Sequence, residues 1–164
     1  KKIDTQKLLK RWEKNTKFIL KRLIIQPRVK FDKYLAIIKS LDIILDPFYF
    51  GMGNTFYDAM AFGIPVVSMP TNQARGRTVY AGYKQMEIKN PPIAQSPQEY
   101  IETCKRLAFD VPYKQNIVDQ ISTKSKERLF NDKNIYKQYI NFFNDSIQAA
   151  QKGEFLQHNW KPKI

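Results

Sequence analysis

The hydrophobic pattern is clearest in residues 42–70, which read DIILDPFYFGMGNTFYDAMAFGIPVVSMP. A short apolar run at 43–45 is followed by a glycine-containing loop, and a second apolar run lies at 66–67. Between them, 54–55 are Asn-Thr, which are frequent helix N-cap residues, and the helical stretch after them stops at Gly63, the residue type favoured just beyond a helix end. This order predicts a strand, a loop, a helix and a second strand, which is the βαβ spacing of a parallel sheet.

The same reading along the rest of the chain predicts mostly helices. Apolar residues at helical spacing, cap residues and prolines predict helices at 5–18, from about 33 to 41, near 77–82, at 97–109, from 112 onward and at 135–152. Short apolar runs predict a strand at 23–25 and a short edge strand within 85–93. Residues 154–164 are expected to form an extended tail.

Strands that alternate with helices, followed by helices alone, favour an α/β fold. We therefore predict a Rossmann-like parallel sheet with flanking helices and an all-helical C-terminal segment. The predicted domain covers residues 1–152, and 153–164 form the tail.

The glycine loop of this unit is suited to an anion. Glycine lets the backbone approach a ligand closely, and a helix N-terminus offers free amides with a partial positive charge. Gly53, Asn54 and Thr55 are the candidate residues for a phosphate or diphosphate. Asp58, one turn after Asn54, is placed to accept hydrogen bonds from sugar hydroxyls. A tight turn with an N-cap and a solvated acid explains the same letters about equally well.

The run LDPFYFGMGNTFYDAMAFGIPVVSMP resembles the nucleotide-sugar signature of glycosyltransferase family 41, which contains the O-linked N-acetylglucosamine transferases and the bacterial N-glycosyltransferases. The resemblance continues upstream in RLIIQPRV. It continues downstream in SPQEYIETCKRLAFD and SKERLFNDKNIYKQYINFF, and it covers about residues 20–150.

This resemblance implies the carboxyl-terminal, donor-binding half of a metal-independent GT-B glycosyltransferase. The donor would be a UDP-sugar, and a hexose or N-acetylhexosamine would pass to a protein or peptide acceptor. By resemblance, Asn54 and Thr55 hold the diphosphate, Asp58 holds the ribose, and Arg28 and Val29 lie against the uracil. No catalytic residue is assigned in this chain, because much of the acceptor site belongs to the amino-terminal half.

Two further expectations follow from this comparison. The animal O-linked transferases carry Lys, His and Arg on the helix before the signature, and this chain has Phe31, Tyr34 and Ile37 there. Basic help for the diphosphate must then come from other residues. Arg77 matches an arginine that recurs after the second strand of the family, and we expect it to form a structural ion pair.

Composition narrows the class of protein. With 43% hydrophobic and 13% aromatic residues, the 164-residue chain is expected to fold. One cysteine, Cys104, and one histidine, His158, exclude a disulfide framework and a zinc constellation within this chain. No apolar run reaches the length of a membrane span, so we expect a cytoplasmic protein. The missing initiator methionine and the few strands ahead of Ile24 suggest a piece of a longer protein, whose amino-terminal GT-B half would be its partner.

The charge leaves an alternative open. The net charge is +13, and residues 1–40 hold 13 Lys/Arg against 3 Asp/Glu. A basic interaction module that binds polyanions or a protein partner is therefore the second hypothesis. The basic residues are spread at helical intervals and no nucleic-acid motif is present, which argues against nucleic acid as the partner. A different nucleotide-binding enzyme is disfavoured, because the chain has neither G-x-G-x-x-G after its first strand nor a P-loop.

Overall fold

The computed structural model describes the backbone of residues 2–161, and the side chains of that range other than those of 2–4, 15 and 17–19. The chain divides into two compact units, Lys1–Tyr34 and Leu35–Ile164. Helix α1 (Lys2–Leu20) lies in the first unit, and the boundary between the units falls within helix α2 (Phe31–Lys39).

The second unit contains two short strands and five further α-helices. In chain order these are β1 (Ile44–Leu45), α3 (Asn54–Ala61), β2 (Val66–Val67), α4 (Thr78–Gln85), α5 (Pro97–Phe109), α6 (Val111–Lys124) and α7 (Ile135–Gln151). A short 3-10 turn at Ala74–Gly76 precedes α4, and a π-helix at Ser125–Phe130 continues α6.

The central βαβ unit is confirmed. Strands β1 and β2 are parallel, with Ile44 opposite Val66, and α3 connects them. On the other edge of β2, Ser68 forms a single parallel bridge with Ile93, which lies at the end of the predicted edge strand. The fold is a helix-rich α/β arrangement with a small parallel sheet, and this sheet is smaller than a Rossmann-like prediction requires.

The strand predicted at 23–25 is wrong. Residues 23–30 have neither helix nor strand, and Ile24 is 89% exposed. A strand needs a neighbouring strand for its backbone hydrogen bonds. Within the described part of the first unit all regular structure is helical, so this apolar run has no partner strand there.

The core forms where α3, β2, α4, α5 and α6 meet. Most of its large, deeply buried side chains belong to these five elements, namely Phe56, Met60, Val66, Val67, Val79, Tyr83, Leu107, Ile117 and Ile121. The two helices α3 and α4 approach so closely that a Cβ atom at Gly82 would clash with the ring of Phe56. A glycine in the interior of α4 is therefore required by packing.

Several predicted helix ends are confirmed. The Ser96 hydroxyl accepts the backbone N–H of Glu99 at 3.2 Å, and α5 then runs from Pro97 to Phe109 as predicted. After α3, Gly63 has φ +73°, the left-handed conformation expected beyond a helix end. The first residue of α3 differs from the prediction, since Gly53 occupies the N-cap position and Asn54 and Thr55 are already helical.

The predicted range of helix α7 is confirmed. In the described structure, the apolar stripe of this helix is exposed to solvent. The exposed stripe consists of Ile135, Tyr136, Tyr139, Ile140, Phe143 and Ile147. The tail bends back onto this helix, because the indole N–H of Trp160 donates to Asp145 at 2.9 Å and its ring packs on Phe142. None of the described helices combines the length and the apolar character needed to cross a lipid bilayer.

Candidate functional site

The loop that leads to the predicted anion site begins at Asp46, the residue that follows β1. Its side chain is only 4% exposed. One carboxylate oxygen accepts the backbone N–H of Met52 at 2.7 Å, and the other accepts the hydroxyl of Ser68 at 2.6 Å. Because Ser68 follows β2, this carboxylate ties together the carboxyl ends of both strands and the glycine loop.

The backbone of Asp46 is held as firmly as its side chain. Its N–H donates to the carbonyl of Val67 at 2.9 Å, and its own carbonyl accepts the hydroxyl of Tyr100 from α5 at 3.1 Å. Burial raises the pKa of Tyr100 above its ordinary value, so this hydroxyl remains protonated, and can donate, further into the alkaline range than an exposed tyrosine. Asp46 therefore connects β2, the loop and α5.

A second anchor fixes the loop at Gly51. The Gly51 N–H donates to the carbonyl of Arg75, in the turn after β2, at 3.0 Å. A Cβ atom at Gly51 would lie 3.2 Å from this carbonyl and 3.2 Å from the Asp46 carboxylate. Glycine allows this close approach of two loops at one edge of the sheet.

The amides that follow, those of Gly53, Asn54 and Thr55, differ from that of Gly51 in their hydrogen bonding. At the start of α3 the Phe56 N–H bonds to the carbonyl of Gly53 at 3.0 Å, and no side chain caps the helix. Within residues 2–161, the backbone amides of Gly53, Asn54 and Thr55 have no intrachain acceptor. Gly53 and Asn54 are exposed, and a Cβ atom at Gly53 would meet nothing within 4 Å.

The arrangement can therefore receive an anion. Free helix N-terminal amides are hydrogen-bond donors with a partial positive charge, and phosphates bind at such ends. Here they lie at the carboxyl edge of a parallel sheet, where ligands of open α/β sheets bind. At this edge Gly53, Asn54 and Thr55 present main-chain rather than side-chain groups at the cap, and their contact with a diphosphate stays a prediction.

The other predicted residues have different positions. Asp58 is half-buried in α3, one turn beyond Asn54. Arg28 is exposed and Val29 half-buried, and both belong to the first unit, between α1 and α2. The predicted contacts of Asp58 with ribose, and of Arg28 and Val29 with uracil, stay predictions.

Arg77 corrects one expectation. Its guanidinium donates to the carbonyl of Thr71 at 2.9 Å and lies over the ring of Tyr80, 4.9 Å from the centroid. Among the described contacts its partners are thus a carbonyl and an aromatic ring, and no carboxylate forms the predicted ion pair. Its role is structural, because it fixes the turn after β2 to the start of α4.

Sequence reasoning missed Asp46, Ser68 and Tyr100. A signal for the first was available, since an acid directly after a parallel strand lies at the edge where ligands bind. The contact with Tyr100 was not predictable, because 54 residues separate the two partners.

Described surface cavities lie away from this loop. The largest of the four, about 610 Å³, is lined by polar residues around the π-helix, including Glu87, Arg128 and Asp132. Another, about 410 Å³, lies beside α4 and is lined by Tyr57 and Arg77. None of the four described cavities is lined by Gly53, Asn54, Thr55 or Asp58.

Comparison with solved structures shows that the fold of this chain occurs in a known protein. A mutant O-GlcNAc transferase from Thermobaculum terrenum matches the chain with a TM-score of 0.62 and 18% sequence identity. The match covers 77% of this chain and 25% of the transferase chain. The two proteins share a fold. This chain spans about a quarter of the transferase's length, and no protein-family model and no curated protein sequence matches it.

Proposed function

We propose that this chain is the carboxyl-terminal, donor-binding half of a GT-B glycosyltransferase that uses a UDP-sugar. The observation that carries the proposal is the cluster of amides at Gly53, Asn54 and Thr55, which lack an acceptor within the described residues and lie at the carboxyl edge of a parallel sheet. The shared fold with an O-GlcNAc transferase supports the same conclusion. Because the match spans a quarter of that protein, the activity of the whole enzyme belongs to the proposal.

The proposed chemistry is stabilisation of the leaving group. When the sugar leaves the nucleotide, negative charge grows on the diphosphate. Preorganised amides and the dipole of α3 stabilise that charge more than they stabilise the ground state. Asp58 would accept hydrogen bonds from the ribose hydroxyls, and Arg28 and Val29 would contact the uracil. The sugar would pass to a protein or peptide acceptor bound mainly by the amino-terminal half.

The test is the effect of UDP on thermal unfolding. A ligand that binds only the folded state at 20 times its Kd stabilises it by about 1.8 kcal/mol. For a domain of this size that raises the melting temperature by about 4–7 °C. Asp58→Ala should abolish the rise, and Asp119→Ala, which removes an exposed acid on α6, should retain it. A folded wild-type protein whose melting temperature does not respond to UDP would contradict the proposal.

The polyanion-binding alternative rests on one observation. Lys7, Lys10, Arg11 and Lys14 are exposed along α1. Binding through these residues would weaken steeply with salt and would be independent of Asp58. The Asp58→Ala comparison therefore separates the two functions.

A further inference from the structure

Within the described residues, two bonded amides of the glycine loop are followed by three without an acceptor. The amides of Gly51 and Met52 are bonded to Arg75 and to Asp46, whereas the next three, from Gly53 to Thr55, have no intrachain acceptor within the described residues. The bonds of the first two amides fix the direction in which the chain enters α3. The Met52 amide is turned by the Asp46 side chain, at 2.7 Å.

Burying the Asp46 carboxylate costs free energy, which indicates that its bond to Met52 has a use beyond linking the strands. Asp46 is 4% exposed, and its two oxygens have two neutral donors, Met52 N–H and Ser68 Oγ–H. A buried carboxylate is expensive unless it is well hydrogen-bonded, and a negative charge close to a bound diphosphate is unfavourable. The bond to Ser68 would be enough to tie β1 to the segment after β2, because the backbones of Asp46 and Val67 already pair there. The bond to Met52 instead fixes the loop.

We propose that Asp46 is a positioning residue of the donor site: it holds Met52 inward so that the amides of Gly53, Asn54 and Thr55 face the diphosphate. This inference rests on the proposed function. Asp46 acts through the loop and touches no ligand, and its charge is secondary to the place of its two oxygens.

That distinction predicts how variants behave. Asp46→Ala removes the acceptor and frees the Met52 amide. Asp46→Asn can accept from Met52 through its oxygen and donate to Ser68 through its amide, so the loop keeps its geometry. Ser68→Ala, the matched control, removes one bond of the carboxylate and leaves the bond to Met52 in place.

The experiment is a UDP titration followed by amide resonances, at a temperature where circular dichroism shows each variant folded. If the freed loop adopts the binding conformation a tenth of the time, the apparent Kd rises about tenfold. Asp46→Ala should therefore bind UDP about tenfold more weakly, and Asp46→Asn and Ser68→Ala within about threefold of wild type. Hydrogen exchange at Met52 should accelerate in Asp46→Ala alone. Should that variant fail to fold, Asp46→Val replaces it, since valine fills the space and offers the Met52 amide no acceptor.

The outcomes separate the two claims. A folded Asp46→Ala or Asp46→Val that binds UDP within threefold of wild type overturns this inference and leaves the proposed function intact. Equal losses in Asp46→Ala and Ser68→Ala also overturn it, because they would show that the tie between strand ends alone matters. Wild-type protein with no response to UDP overturns the proposed function and this inference together.

Discussion

Single polar side chains complete the hydrogen bonding of this small sheet. The Tyr83 hydroxyl accepts the backbone N–H of Val66 at 2.7 Å and donates to its carbonyl at 3.0 Å. One hydroxyl therefore serves both backbone groups on the free edge of β2, where a further strand would otherwise pair. Beyond it, the segment around Ile93 takes over the pairing. Asp46 does the corresponding work at the carboxyl edge, with its two oxygens bound to the loop and to Ser68.

Tyr83→Phe should be strongly destabilising. It leaves two buried backbone groups without partners, each worth about 1–3 kcal/mol, so we expect a loss of about 2–4 kcal/mol. Urea unfolding measures the change in the free energy of unfolding. Tyr139→Phe, at a tyrosine that is 60% exposed on α7, is the control and should change it by less than about 0.5 kcal/mol. A Tyr83→Phe protein as stable as this control would contradict the assigned bonds.

Alkaline pH should reduce the stability that the bonds of the Tyr83 hydroxyl to Val66 contribute. Burial raises the pKa of Tyr83 above its ordinary value of about 10, so the folded protein keeps a proton that the unfolded chain loses. Stability from this group is thus fully present below pH 10 and is lost as pH rises toward the folded-state pKa. The free energy of unfolding should fall with pH above about 10, and less steeply in Tyr83→Phe.

At the scale of elements, sequence reading succeeds where signals are local. The cap at Ser96, the stop at Gly63 and the βαβ order were all readable from neighbouring residues. The strand predicted at 23–25 failed because a strand depends on a partner that no local pattern reveals. The helix start moved to Gly53 because backbone geometry, which residue preferences do not fix, sets the cap. In the candidate site, Asn54 and Thr55 were predicted from their residue types, and Asp46 was not predicted because its contacts with Ser68 and Tyr100 are distant in sequence.

The contact between α3 and α4 gives a test at this scale. Gly82→Ala improves helix propensity by about 1 kcal/mol, yet its methyl group would clash with Phe56. We expect overpacking to prevail and the free energy of unfolding to fall by about 1–3 kcal/mol. The double variant Gly82→Ala, Phe56→Leu should recover part of that loss relative to Phe56→Leu alone. If the single variant is more stable than wild type in urea unfolding, the close packing of the two helices is contradicted.

At the scale of the whole molecule, the chain combines a fold shared with an O-GlcNAc transferase and a basic first unit. Its sheet edge offers amides to an anion, and its last helix exposes an apolar stripe. The donor-binding proposal accounts for the amides at the sheet edge. It concerns the donor nucleotide, so it can be tested on this chain without an acceptor.

The most direct measurement is a UDP titration that maps amide chemical shifts along the chain, with uridine as the comparison ligand. Our account predicts that UDP shifts the amides of Gly53, Asn54 and Thr55, and that uridine, which lacks the diphosphate, leaves those three in place. If UDP shifts no amides, or shifts only those of α1 or of the polar cavity around Asp132, the central claim is contradicted.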